Sequence, residues 1–204
     1  MATAAASGNG AANAVTSISG TTATQLLWPE NSIPSTFTVC SVTRYTGGES
    51  ARILTCNGSP SQDANWLQGH WESLRGVVLY PTTSGERWKT TSTASRGVVD
   101  DWLVMCGTNA GATAPGNIIV DHDEIGTADG GDGNCRLNIG YYGPSDWALH
   151  SVFIWDYSLG TVPALWHTSA TLSQVLLTSP FPGCDLGMRG TVVPGQGDWG
   201  RRYS

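Results

Sequence analysis

Residues 145–159 read SDWALHSVFIWDYSL, and this stretch decides the fold class. Trp147, Leu149, Ser151, Phe153 and Trp155 alternate with Ala148, His150, Val152 and Ile154. That period of two is the one with which a β-strand presents side chains to opposite faces. Both sets are mainly apolar, so neither face suits water, and the segment is predicted to be a central strand. A central strand needs partners along both edges, which the rest of the chain must supply.

Working outward, short runs of strand formers bounded by Gly, Pro, Ser or Asp recur at the spacing of a sandwich. LLWPENSIPSTFTVCSVTRY (26–45) holds an apolar opening, a proline-punctuated turn and a strand from Phe37 to Tyr45. The TGGE turn (46–49) and ARILTC (51–56) read as the return of a first hairpin, followed by a polar loop over 57–64. NWLQGHW (65–71), GVVLYP (76–81), ERWKTT (86–91) and DDWLVMCGTN (100–109) add further strands. NIIVDHDEIGTA (117–128) reads as strand, turn and strand with Asp121-His122 at the tip, before a DGGDGN loop (129–134) and CRLNIG (135–140). Only TLSQVLLTS (171–179) has helix-like content, and it is too short to stand alone.

Composition agrees. Hydrophobic residues are 40% and charged residues only 13%, so a core is available while the surface is largely uncharged. The 26 glycines and 10 prolines are spread along the chain, as many strands joined by tight turns require. At 204 residues one sandwich domain accommodates the chain. The expected organisation is a low-complexity segment over 1–24, a sandwich domain over 25–182 and an irregular, glycine-rich tail over 183–204. The first segment carries no charged residue and is read as a tail or an edge-hugging stretch that orders only by lying on something else.

A net charge of -6 offers no basic stripe to neutralise phosphates, so nucleic acid and anionic membrane surfaces are not expected partners. No run reaches the ~18 apolar residues of a membrane span. The start, MATAAASGNGAANAV, lacks the basic region and the apolar run of ~7–15 residues of a secretory signal. A removed signal, an excerpt from a longer protein and an intracellular protein all fit that start. Asn57-Gly58-Ser59 matches a glycosylation acceptor, with the unfavourable Pro60 behind it.

Five cysteines, Cys40, Cys56, Cys106, Cys135 and Cys184, contain no C-x-x-C pair, so neither zinc nor thioredoxin-like chemistry is indicated. Cys40 and Cys56 flank the TGGE turn symmetrically, so a cross-strand disulfide between them follows if that hairpin register holds. Reduced buried cysteines are the alternative.

Taken in order, FTVCSVTRY, RILTC, WLVMCGTN, IIVDHDEIG, CRLNIG and SDWALHSVFIWDYSL resemble the laminin-G-like and pentraxin-like (concanavalin A-like) jelly roll, over roughly residues 26–178. The resemblance implies an all-β, antiparallel two-sheet jelly-roll sandwich with extended ends. It also implies a non-catalytic module that recognises glycan or protein outside the cell or at its surface, in places with calcium. One departure is His122, where the family hairpin commonly has glycine.

Calcium would need ~6–8 oxygen ligands. Asp129, Asp132 and Asn134 are the best candidates, with Asp121 and Asp123 nearby, because glycines between oxygen donors let a backbone curl around an ion. The same residues also simply build turns. For a glycan, Trp66, Trp71 and Trp88 beside Asn65 and His70 are the candidate ligand-binding residues, since indole faces stack on sugar C–H groups. The competing reading puts these tryptophans in the core.

Catalysis finds less support. There is no G-x-S-x-G and no phosphate-cradling glycine motif, and the one carboxylate-rich run, Asp121-His122-Asp123-Glu124, falls on a hairpin turn rather than a concave strand face. No enzyme activity is expected, and glycoside hydrolysis is the lesser alternative. The main rival is a structural subunit whose uncharged first segment and glycine-rich tail contact neighbouring chains.

Overall fold

The computed structural model describes residues 2–57, 65–82, 85–91, 95–159, 191–193 and 201–202. Among them there is no helix, and the strands are β1 Ala2–Gly8, β2 Ala11–Gly20, β3 Leu26–Leu27, β4 Thr38–Tyr45, β5 Leu54–Asn57, β6 Leu67–Trp71, β7 Leu74–Thr82, β8 Gly85–Trp88, β9 Leu103–Thr108, β10 Ile118–Val120, β11 Asp123–Glu124, β12 Arg136–Ile139, β13 Trp147–Trp155, β14 Thr191–Val193 and β15 Arg201–Arg202. The helix-like stretch 171–179, most of the glycosylation motif, most of the 183–204 tail and Cys184 lie outside the described residues.

Two sheets form a jelly-roll sandwich. The first runs β1-β2-β13-β4-β9-β10-β11, with β14 added in parallel to the end of β13, and the second runs β3-β12-β5-β6-β7-β8. Between them lies a core that includes Phe37, Tyr45, Trp66, Tyr80, Leu103 and Trp147. The strand predicted to be central is central: β13 bonds β4 along its whole length on one side, and β2 and β14 on the other.

Its faces are not assigned as simple alternation predicts. Trp147, Leu149, Val152 and Ile154 enter the inter-sheet core, whereas Ala148, Phe153 and Trp155 belong to a cluster on the opposite face. The register with β4 shifts between Leu149 and Ser151, and such a bulge adds one residue and reverses the alternation beyond it.

The expected first hairpin does not form. β4 lies in the first sheet, with both edges taken by β13 and β9, and β5 lies in the second sheet between β12 and β6. Both hydrogen-bonding edges of β4 are taken by the longer strands β13 and β9, which leaves no edge for the four-residue β5. The Cys40–Cys56 disulfide falls with it. Cys40 instead bonds Cys106 directly across the β4–β9 ladder, and Cys56 bonds Cys135 between β5 and β12.

The turn after β10 is as expected. Val120 pairs with Asp123, and Asp121 and His122 take φ of 45° and 82°, the left-handed pair that a two-residue type I′ turn requires. His122 therefore fills a glycine-favouring position without changing the turn length.

The uncharged first segment is a hairpin. Gly8 pairs with Ala11 around Asn9-Gly10, whose φ values of 52° and 77° again suit a type I′ turn. Its second strand joins β13 through Ile18 to Gly20, and Ala11 and Val15 pack with Val42, Trp102, Val104 and Ala148 on the outer face of the first sheet. The Trp102 N–H donates to the Asn9 carbonyl at 2.9 Å, which ties the tip down beside the start of β9. This is how a segment with too little apolar surface of its own becomes ordered.

Candidate functional site

The aromatic candidates separate by strand parity. Trp66 is buried in the inter-sheet core, stacked on Tyr80 with ring centroids 5.3 Å apart, so it is no binding platform. His70 is likewise inside and fully buried. Its Nδ1 lies 3.5 Å from Thr43 Oγ1, its ring meets Tyr45 edge-on at 4.6 Å, and Nε2 has no partner. Burial, with the Arg75 guanidinium adding repulsion, pushes its pKa down to about 3, so it is neutral. Both residues are corrections to the sequence expectation, because the core face of this part of the second sheet claims them.

Trp71 and Trp88 take the other face. Along β7, Val78 and Tyr80 point into the core while Val77 and Leu79 point away from it. Leu67, Val77 and Leu79 form an outer cluster against which Trp71, Leu74 and Trp88 pack. Trp71 and Trp88 come from β6 and β8, on either side of β7, and meet with centroids 5.0 Å apart at an interplanar angle of 47°. Both are half-buried. The result is a two-indole surface on an apolar floor, with half-buried Asn65 preceding Trp66 at the start of β6.

Two strands therefore carry indoles onto one outer face, a juxtaposition the sequence does not state. Trp66 and Trp71 stand five positions apart and would share neither neighbour nor face in a regular strand. The register also shifts between Gly69 and His70, where Gly69 has φ of 103°. Sequence reasoning passed over Tyr141 and Tyr142, which are exposed and in edge-to-face contact at 4.9 Å in the turn after β12. Adjacent aromatics in a turn were the available signal.

The acidic candidates are not brought together. Asp121 pairs with Arg75 Nη2 at 2.5 Å and accepts the Val104 N–H at 3.1 Å. The Asp129 carboxylate accepts the Ala114 N–H, and Lys89 Nζ donates to the Asp129 carbonyl at 2.5 Å. Asp123 and Asn134 are exposed, and Asp132 is half-buried with its N–H donating to the Pro81 carbonyl at 2.6 Å. Among the described residues no three histidine, cysteine or acidic side chains gather to hold a metal ion.

The glycines of the DGGDGN loop have a packing explanation instead. A Cβ on Gly131 would lie 2.4 Å from Tyr80 Cβ, and one on Gly133 would lie 1.7 Å from the Pro34 carbonyl oxygen. Asn109 Nδ2 donates to the Gly131 carbonyl at 2.8 Å, holding the loop against the sandwich. As placed, the Asp121 and Asp129 oxygens bond Arg75, Val104, Ala114 and Lys89 within the chain.

No family model matches the chain, and no curated protein matches it. Among solved structures it is similar to a Trypanosoma rangeli sialidase in complex with 2,3-difluorosialic acid, at 13% identity and a TM-score of 0.47, over 87% of this chain and 33% of that one. The chain thus spans about a third of that sialidase. It is also similar to the native heptameric SAP-like pentraxin of Limulus polyphemus, at 14% identity and a TM-score of 0.42, over 88% of this chain and 91% of that one. Neither likeness bears on ligand or chemistry.

Proposed function

We propose that this chain is a non-catalytic recognition module that binds carbohydrate on the outer face of the second sheet, with Trp71 and Trp88 as the stacking surface. The observation that carries this reading is the indole pair, 5.0 Å apart and half-buried on the face turned away from the core. Sugar rings present C–H groups to such faces, and two rings tilted by 47° form a shallow cradle rather than a flat wall. The family resemblance of the strand motifs points to the same class of function. Two disulfides suit an oxidising compartment, which supports a place outside the cell or at its surface.

The test is binding to a panel of glycans, read by tryptophan fluorescence, for the unmodified chain and for Trp71→Ala and Trp88→Ala. Each substitution should weaken the best glycan by roughly tenfold or more while the near-ultraviolet circular dichroism stays folded. Binding that survives both substitutions, or a ligand that proves to be a protein, rejects the proposal. Cleavage of the bound glycan would convert the module into a glycoside hydrolase.

A second reading, a subunit of a larger assembly, is favoured by one observation: β1 is exposed along its whole length.

A further inference from the structure

We propose that β1 is the edge through which two copies of this chain pair, antiparallel and related by a two-fold axis, so that one sheet continues across the dimer. This is the specific form of the assembly reading and is independent of carbohydrate binding. All seven residues of β1, Ala-Thr-Ala-Ala-Ala-Ser-Gly, are exposed. One edge of the strand is bonded to β2, and among the described residues no strand takes the other edge. An unpaired edge presents a row of N–H and C=O groups that can template another strand.

The contrast with the other edges supports the assignment. On the far side of the first sheet, β11 is two residues long and both are acidic, Asp123 and Glu124. β15 is two arginines, Arg201 and Arg202. In the second sheet, β3 is two residues long with Pro29 shortly after it, and β8 includes Glu86 and Arg87 in its sequence. Shortness, charge and proline are the usual protections of an edge against pairing. β1 is seven residues long and uncharged, without proline, and its register stays regular from Ala2 to Ala6, the one irregularity falling at Ser7 beside the hairpin turn.

Charge and shape favour a second copy of this chain as the occupant. The chain carries a net charge of -6, yet residues 2–24 hold no ionisable side chain, so two copies meet here without opposing like charges. An antiparallel pairing centred on Ala5 sets Ala5 against Ala5 and Ala4 against Ala6, with small side chains on both faces. A two-fold contact needs only one self-complementary patch, and this strand supplies it. The strand is also held in place, because the hairpin tip is bonded to Trp102 and its second strand packs on the outer face of the first sheet. Pairing therefore does not bear the cost of ordering a loose segment.

The experiment is the concentration dependence of mass in solution, by sedimentation, for the full chain and three variants. The unmodified chain should dimerise in the micromolar range. Ala5→Glu should raise the dimer dissociation constant at least tenfold with an unchanged unfolding midpoint, while Ala23→Glu, which adds the same charge at an exposed site off the strand, should leave it unchanged. An equimolar mixture of Ala5→Glu and Ala5→Lys should recover a mixed dimer, because the opposed charges are then complementary. A chain that stays monomeric at hundreds of micromolar, or a dimer indifferent to Ala5→Glu, overturns the proposal. Retained glycan affinity in a monomeric Ala5→Glu variant separates this outcome from the fate of the carbohydrate reading.

Discussion

Arg75 on β7 of the second sheet and Asp121 in the turn after β10 of the first meet at 2.5 Å, with the guanidinium almost fully buried and the carboxylate partly in water. Arg75 also donates to the carbonyls of Arg96 at 2.6 Å and Trp102 at 2.5 Å, so one side chain ties both layers to the segment that leads into β9. The two partners are unequal. Arg75→Met should destabilise by about 3–5 kcal/mol, because it strands a carboxylate and several carbonyls. Asp121→Asn retains a residue suited to positive φ and an acceptor for Val104, and should cost about 1–2 kcal/mol. Urea unfolding of both variants checks the order, and equal losses would contradict it.

His70 makes the fold acid-sensitive. Its pKa is lowered to about 3 in the folded chain, against an ordinary value near 6.5, so the unfolded chain binds more protons between these limits. Stability from the neutral ring is complete above about pH 6.5 and declines as the pH falls toward about 3, by at most ~1.4 kcal/mol per pH unit. His70→Gln should flatten this limb while lowering stability at pH 7. Urea midpoints at pH 7 and 4.5 read the difference, and an unchanged slope would remove His70 as its source.

The two disulfides close loops with sequence separations of 66 and 79. Each should contribute roughly 2–5 kcal/mol, largely by restricting the unfolded chain. Peptide mapping without reductant should recover Cys40 linked to Cys106 and Cys56 linked to Cys135. Reductant should lower the unfolding temperature in two separable increments, reproduced by Cys40→Ser with Cys106→Ser and by Cys56→Ser with Cys135→Ser.

Calcium should leave the unfolding temperature where a chelator leaves it. Asp121 is committed to Arg75, and the Lys89 ammonium already occupies the Asp129 carbonyl, placing positive charge beside the loop. A calcium-dependent rise of several degrees at millimolar ion would show that the DGGDGN loop reorganises into a site, since a ligand of the native state stabilises it. Asp132→Asn would then abolish the rise.

What the sequence determined by itself was local. Alternation and turn chemistry reach only a few residues along the chain, and from them came the all-β class, most strand positions, the Asp121-His122 turn and the central place of 145–159. Partner choice was not local. The apolar pattern of β4 says that it is buried on both faces but not by which strands, so both the false hairpin with β5 and the false Cys40–Cys56 bond came from assuming the nearest neighbour. Bulges were equally hidden: one extra residue near His150 moves every later side chain of β13 to the other face, and no composition signals it. Alternation along β6 puts Trp66 and His70 on one face and Trp71 on the other, but only the tertiary structure decided that the first face is core and that Trp88, across β7, joins Trp71 on the outer surface.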